Sequence, residues 1–159
     1  MLKKGQANYQ LRQMSVGDLN EVLNLQTVCA LGKWSKADFE NELSNPSALL
    51  YIISENDVVL GFAQARLITP IIEILNIGVL PEMRKRGIGK ILLQKLFEVA
   101  SSKGVGEIWL EVRESNLTAR EFYHSQGYKI VGRRRNYYSS PDEDAVLMTF
   151  IFSDKNPKK

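Results

Sequence analysis

Apolar positions change period along this chain, and the changes mark out its elements. Ala7, Tyr9 and Leu11 alternate with polar neighbours, the two-residue period of a half-buried strand. Ser15-Val16-Gly17-Asp18 then has capping-box spacing. Leu19, Val22, Leu23, Gln26, Cys29 and Ala30 recur at helical spacing, so a helix follows, with Cys29 in its core face rather than acting as a nucleophile. Ser35-Lys36-Ala37-Asp38 repeats the capping signal for a short helix to about Leu43, which Asn45-Pro46 ends. Two β-like runs, Leu49 to Ser54 and Val58 to Leu67, meet at Asn56-Asp57, a pair suited to a hairpin turn, and a third run covers Ile71 to Val79. Ile88, Ile91, Leu92, Leu96, Val99 and Ala100 form an apolar helix face with one Lys95, and Gly104 stops it. Glu107 to Val112 reads as a strand, Ser115 or Asn116 caps a helix Leu117 to Gln126, and Gly127 ends it. Strands near Tyr128 to Arg133 and Ala145 to Phe152 complete the pattern, and the tail from Ser153 reads as disordered.

The order β-α-α-β-β-β-α-β-α-β-β predicts a mixed α/β fold with one central sheet and helices on both faces, and it excludes a doubly wound dinucleotide fold. With 159 residues the chain is expected to be one domain, residues 1–159, with its core at about 7–152. Its single cysteine cannot form an internal disulfide, and Met1 to Gly5 lacks the apolar run of a signal peptide, so a cytoplasmic protein is expected. No apolar run approaches the roughly 20 residues that span a bilayer. A net charge of +3, without a long basic patch interleaved with aromatics, does not argue for nucleic acid. No cluster of His, Cys and carboxylates predicts a metal, and the lone His124 reads as a surface residue. Oligomeric state is not legible.

Between the third run and the next helix lies Pro81-Glu82-Met83-Arg84-Lys85-Arg86-Gly87-Ile88-Gly89. A basic, glycine-bearing turn entering a helix builds an anion site, since the first backbone N–H groups lack intrahelical acceptors and the helix dipole is positive there. Two phosphate fingerprints fail: Arg84 occupies a Walker glycine position and Ile91 follows Lys90, while Leu92 stands where a dinucleotide fingerprint needs glycine. Arg-x-x-Gly-x-Gly, Arg84 to Gly89, resembles the acetyl-CoA pyrophosphate loop of the GCN5-related N-acetyltransferases. Asn116, Ala119, Phe122, Tyr123, Gly127 and Tyr128 satisfy a second pattern similar to that family's, Asn-x-x-Ala-x-x-aromatic-Tyr-x-x-x-Gly-aromatic. Arg134-Arg135-Asn136-Tyr137-Tyr138, the acidic loop after it and the last apolar strand resemble the RimI-type protein N-terminal alanine acetyltransferases. The resemblance covers roughly residues 7 to 152.

That resemblance implies a fold in which strands four and five splay and acetyl-CoA enters between them. Arg84, Lys85, Arg86, Gly87, Ile88 and Gly89 would then hold the pyrophosphate, main-chain groups at Ile77 and Val79 the pantetheine arm, and Asn116 the pantetheine amides. It implies Glu111 as general base and Tyr123 as the acid that protonates the departing thiolate, with no covalent intermediate. The residues themselves say less. Glu111 lies in the apolar run Ile108 to Val112, where burial would raise a carboxyl toward neutral pH, unless it is a strand-end residue facing solvent. Tyr123 is otherwise a core aromatic and Asn116 an N-cap. Arg133, Arg134 and Arg135 read as a solvated strand end, whereas relatives use the Tyr137–Tyr138 pair to hold the acceptor's main chain. Leu31 and Trp34 would shape the pocket for the acceptor's first residue, but Leu31-Gly32-Lys33 stands where the family carries Phe-Pro, which leaves that preference open. The implied acceptor is a protein N-terminus such as a ribosomal protein's Ala. A small-molecule amine acetyltransferase (polyamine or antibiotic), or a CoA-binding regulatory module without turnover, is the alternative.

Overall fold

A computed structural model describes residues 7–153, so the readings made on Met1 to Gly5 and on the tail beyond Ser153 lie outside the described residues. The elements follow the expected order: β1 (Gln10–Gln13), α1 (Leu19–Val28), α2 (Lys36–Leu43), β2 (Ala48–Glu55), β3 (Val58–Ile68), β4 (Ile71–Val79), α3 (Ile88–Ser102), β5 (Glu107–Arg113), α4 (Leu117–Ser125), β6 (Lys129–Tyr138) and β7 (Glu143–Ile151). The strands form one seven-stranded mixed sheet in the order β1-β2-β3-β4-β5-β7-β6. β4 and β5 run parallel from Ile71↔Glu107 to Ile74↔Leu110, where the ladder ends although both strands continue.

Most boundaries fall where local chemistry puts them. Asn56 and Asp57 both take positive φ, 49° and 62°, as a tight hairpin with right-handed twist requires. Ser35 accepts from the Asp38 N–H at 3.1 Å while Asp38 accepts from the Ser35 N–H at 2.7 Å, the reciprocal cap foreseen for α2. Three expectations need correction. β1 begins at Gln10 rather than Ala7, which is exposed. α1 stops at Val28, and Ala30, expected on its face, turns the chain with φ 51°. β6 runs on to Tyr138, taking in the three arginines expected at a solvated strand end.

The chain divides into two compact units: the chain to Arg66 with Asn76–Phe97, and Leu67–Leu75 with the chain from Glu98. In the first, Leu19, Val22 and Leu25 of α1 and Phe39 of α2 close over Leu50, Ile52 and Phe62 of the sheet, all buried, with Phe39 edge-on to Phe62 at 6.5 Å. Removing a ring such as Phe39 would cost about 3–5 kcal/mol. In the second unit an aromatic row, Tyr123, Tyr128 and Phe150, has successive centroid distances of 5.3 and 5.8 Å. Gly127 ends α4 at φ +93°, and a Cβ there would lie 3.0 Å from the Phe150 ring, so both conformation and space demand glycine. Among the described residues no helix is long and apolar enough to cross a membrane.

Candidate active site

In the first unit the basic turn is built as its sequence implies. Arg84, Lys85, Arg86 and Gly87 are exposed, while Ile88 is 1% exposed and anchors the start of α3 in the core, so only its backbone is available to a ligand. Gly87 has φ +81° and open space where a Cβ would project. Three exposed basic residues in a row, an open glycine and the first turn of a fifteen-residue helix fit a diphosphate. The Val79 carbonyl at the end of β4 accepts from the Cys29 thiol and from Arg84 Nε, both at 3.3 Å. Cys29 is therefore a half-buried bonding group at the edge of the core, and the Val79 carbonyl is already engaged. Ile77 is half-buried on the same strand.

The connection between α1 and α2 is held by one side chain. Gln26, 7% exposed, donates from Nε2 to the Trp34 carbonyl at 2.8 Å and accepts from the Trp34 N–H at 3.0 Å. Trp34 lies against Phe39 at 5.4 Å and beneath the Arg66 guanidinium, which forks onto the buried Glu42 carboxylate at 2.7 and 2.8 Å. Leu31 packs with Trp34 at the margin of the same core.

In the second unit β5 alternates: Ile108, Leu110 and Val112 are buried, whereas Glu107, Trp109, Glu111 and Arg113 share the other, half-exposed face. Glu111 is thus not the isolated carboxylate in apolar surroundings that its neighbours in sequence imply. Its side chain is 17% exposed and its Oε1 is ion-paired with Arg134 Nε at 2.9 Å. The adjacent Glu111 carboxylate, with burial, raises the Tyr137 phenol above its ordinary range. Arg134 lies 5.6 Å from the centre of the Tyr137 ring, Tyr137 meets Tyr138 edge-on at 5.0 Å, and Arg113 covers Tyr138 at 4.4 Å. Burial chiefly, with the Glu111 charge, pushes Tyr138 up to about 12. Arg133 pairs with Glu114.

Tyr123 has the packing of a core aromatic, 7% exposed between Phe122 and Tyr128, and burial raises its phenol so that it stays protonated throughout the neutral range. Asn116 is the N-cap of α4, its Oδ1 accepting from the Ala119 N–H at 3.1 Å. His124 is exposed, as expected. The structure therefore gathers Glu111, Tyr137 and Tyr138 into one cluster, and adds Arg134. Sequence reasoning passed Arg134 over because its partner lies two strands away.

Comparison with known proteins bears on the fold and the family. The [ribosomal protein bS18]-alanine N-acetyltransferase of Haemophilus influenzae is 35% identical over 141 residues, spanning 87% of this chain and 95% of that one. A putative enzyme of the same name from Bacillus subtilis is 30% identical, spanning 87% and 92%. The crystal structure of the ribosomal-protein-S18-alanine N-acetyltransferase from Escherichia coli superposes with a TM-score of 0.84 at 27% identity, covering 96% of this chain and 99% of that one. Residues 19–128 match the acetyltransferase (GNAT) family, and with that match over most of its length the chain belongs to the GNAT acetyltransferases.

Proposed function

We propose that this chain transfers acetyl from acetyl-CoA to the N-terminal α-amine of a protein in the cytoplasm, with the N-terminal alanine of a ribosomal protein as acceptor. The observation that carries the reading is that Arg134, ion-paired with Glu111, also lies against the ring of Tyr137, which meets Tyr138 edge-on: the candidate base and the candidate acceptor-holding pair are one cluster. The relatives' shared activity on ribosomal protein bS18 supports it.

Acetyl-CoA supplies an acetyl group activated as a thioester. Arg84, Lys85, Arg86 and the N–H groups of Gly87, Ile88 and Gly89 hold its pyrophosphate, and main-chain groups at Ile77 and Val79 align with its arm. Asn116, at the head of α4, serves the pantetheine amides. Glu111 takes a proton from the acceptor ammonium, directly or through water, which frees the lone pair for attack on the thioester carbon. The Val79 N–H stabilises the oxygen on which charge develops. Tyr123 gives its proton to the sulfur as the carbon–sulfur bond breaks, and burial that raises a phenol also raises the basicity of a thiolate beside it, so the transfer stays matched. One proton is taken and one given. Guanidinium groups over both tyrosines disfavour a polyamine acceptor, which would need an acidic surface.

The test is acetyl-CoA turnover on an Ala-initiated peptide that also carries an internal lysine, beside a polyamine control, with mass spectrometry locating the label. The α-amine, with a pKa of about 8 against about 10.4 for lysine, gives up its proton more readily and should carry the label. Acetyl found mainly on lysine or on the polyamine would refute the reading.

A further inference from the structure

In a regular strand Arg134 and Tyr137, three residues apart, face opposite sides of the sheet. Here Arg134 pairs with Glu111 while its guanidinium also meets the Tyr137 ring, so both side chains lie on one side. The cause is a register break between Arg134 and Tyr138, at which Asn136 takes φ 51° and its N–H is held by Asp144 Oδ1 at 2.9 Å. Asparagine tolerates this left-handed conformation better than other residues with a Cβ. The bulge re-aims one strand so that a cation, with an aromatic ring against it, closes on a carboxylate that belongs to β5, across the intervening β7.

We propose that Arg134 is a positioning residue for Glu111, and that the bulge at Asn136 exists to deliver Arg134 to that carboxylate with the Tyr137 ring against it. A carboxylate on a half-exposed strand face has several rotamers, and only one points its oxygens at an acceptor amine. The Arg134 ion pair on Oε1 restricts it to one orientation, and the guanidinium lying over the Tyr137 ring holds the cation itself in place. This inference rests on Glu111 being the base.

The Arg134 side chain is 57% exposed, so its replacement leaves the core intact. Arg134→Gln, which keeps a donor but loses the charge and the fork, should lower kcat on a peptide acceptor about 10- to 100-fold with acetyl-CoA affinity unchanged. Arg134→Lys, which keeps the charge, should recover part of that loss. The deciding measurement adds Arg134→Gln to Glu111→Gln: with no base left to orient, the second substitution should change kcat less than about twofold. A loss of the same factor in both backgrounds, or no loss in the wild-type background, would overturn the proposal. Wild-type kcat in Glu111→Gln alone would instead strike down the base assignment beneath it.

Discussion

Gly87 offers a perturbation whose effects on folding and on ligand binding separate. Because nothing lies within 4 Å of a Cβ at this position, Gly87→Ala meets no steric contact, and its only cost to the fold is an L-residue held at φ +81°. That cost is about 1–2 kcal/mol, or a fall in Tm of roughly 3–6 °C for a chain of this size. On the proposed reading the phosphate approaches the first turn of α3 through the same open space, so the added methyl should weaken acetyl-CoA about tenfold. Gly87→Asp adds a charge as well. At about 4 Å and an effective dielectric of about 20, like charges repel by about 4 kcal/mol, enough to reduce affinity by more than a hundredfold even after screening. Calorimetric titration with acetyl-CoA and thermal melting followed by circular dichroism read the two quantities independently. In the wild type, acetyl-CoA at a hundredfold excess over its Kd should stabilise the fold by about 2.7 kcal/mol, and the Asp variant should lose that increment. An Asp variant that melts within the expected interval and still binds acetyl-CoA with wild-type affinity would remove the phosphate from this loop.

Glu111→Gln and Tyr123→Phe should each lower kcat by about 10² to 10⁴ with little change in acetyl-CoA affinity, a split visible in steady-state kinetics beside calorimetry; wild-type kcat in both folded variants contradicts the assignments. Stability should also respond to acid through Asp18, whose carboxyl is held down from about 3.8 to about 2 by the fork from Arg12 at 2.7 Å, with help from Ser15. A depressed carboxyl stabilises the fold above its unfolded value and loses that contribution as pH falls through the folded one. Asp18→Asn should therefore cost about 1–2 kcal/mol at pH 7, a figure reduced because Arg12 is half exposed, and the gap in urea midpoints between variant and wild type should close from about pH 4 toward pH 2. A gap that is constant with pH would show that Asp18 acts through packing alone.

The elements were legible because their ends are written in local chemistry: Asn56-Asp57, the two Ser-to-Asp caps, and Gly104 and Gly127 at the ends of helices. Such signals act within four residues, and a reader of one sequence can see them. β6 was cut short because a run of arginines reads as solvent, and nothing local shows that Asn136 turns the chain rather than ending it. Glu111 is a different lesson. Its neighbours Leu110 and Val112 are apolar, yet the alternation Ile108, Leu110, Val112 already places it on the opposite face, so period was the better guide to burial than composition. Arg134 was out of reach for a third reason. Strand order puts β7 between β5 and β6, and a side chain must span about two strand spacings to reach its partner, a distance that no pattern along the chain encodes.

One glutamine gives the segment before α2 an unusual freedom to vary. Gln26 fixes Leu31 through its carbonyl, at 3.0 Å, and Trp34 through its side chain, so the chain between them is tethered at both ends to the same residue of α1. Gly32 and Lys33, which lie between those tethers, are exposed, and a Cβ on Gly32 would touch nothing. Substitutions there change what the surface presents without disturbing the core on either side. The segment can therefore change its exposed chemistry at two tolerant positions while the costly anchors, Gln26 and Trp34, stay as they are.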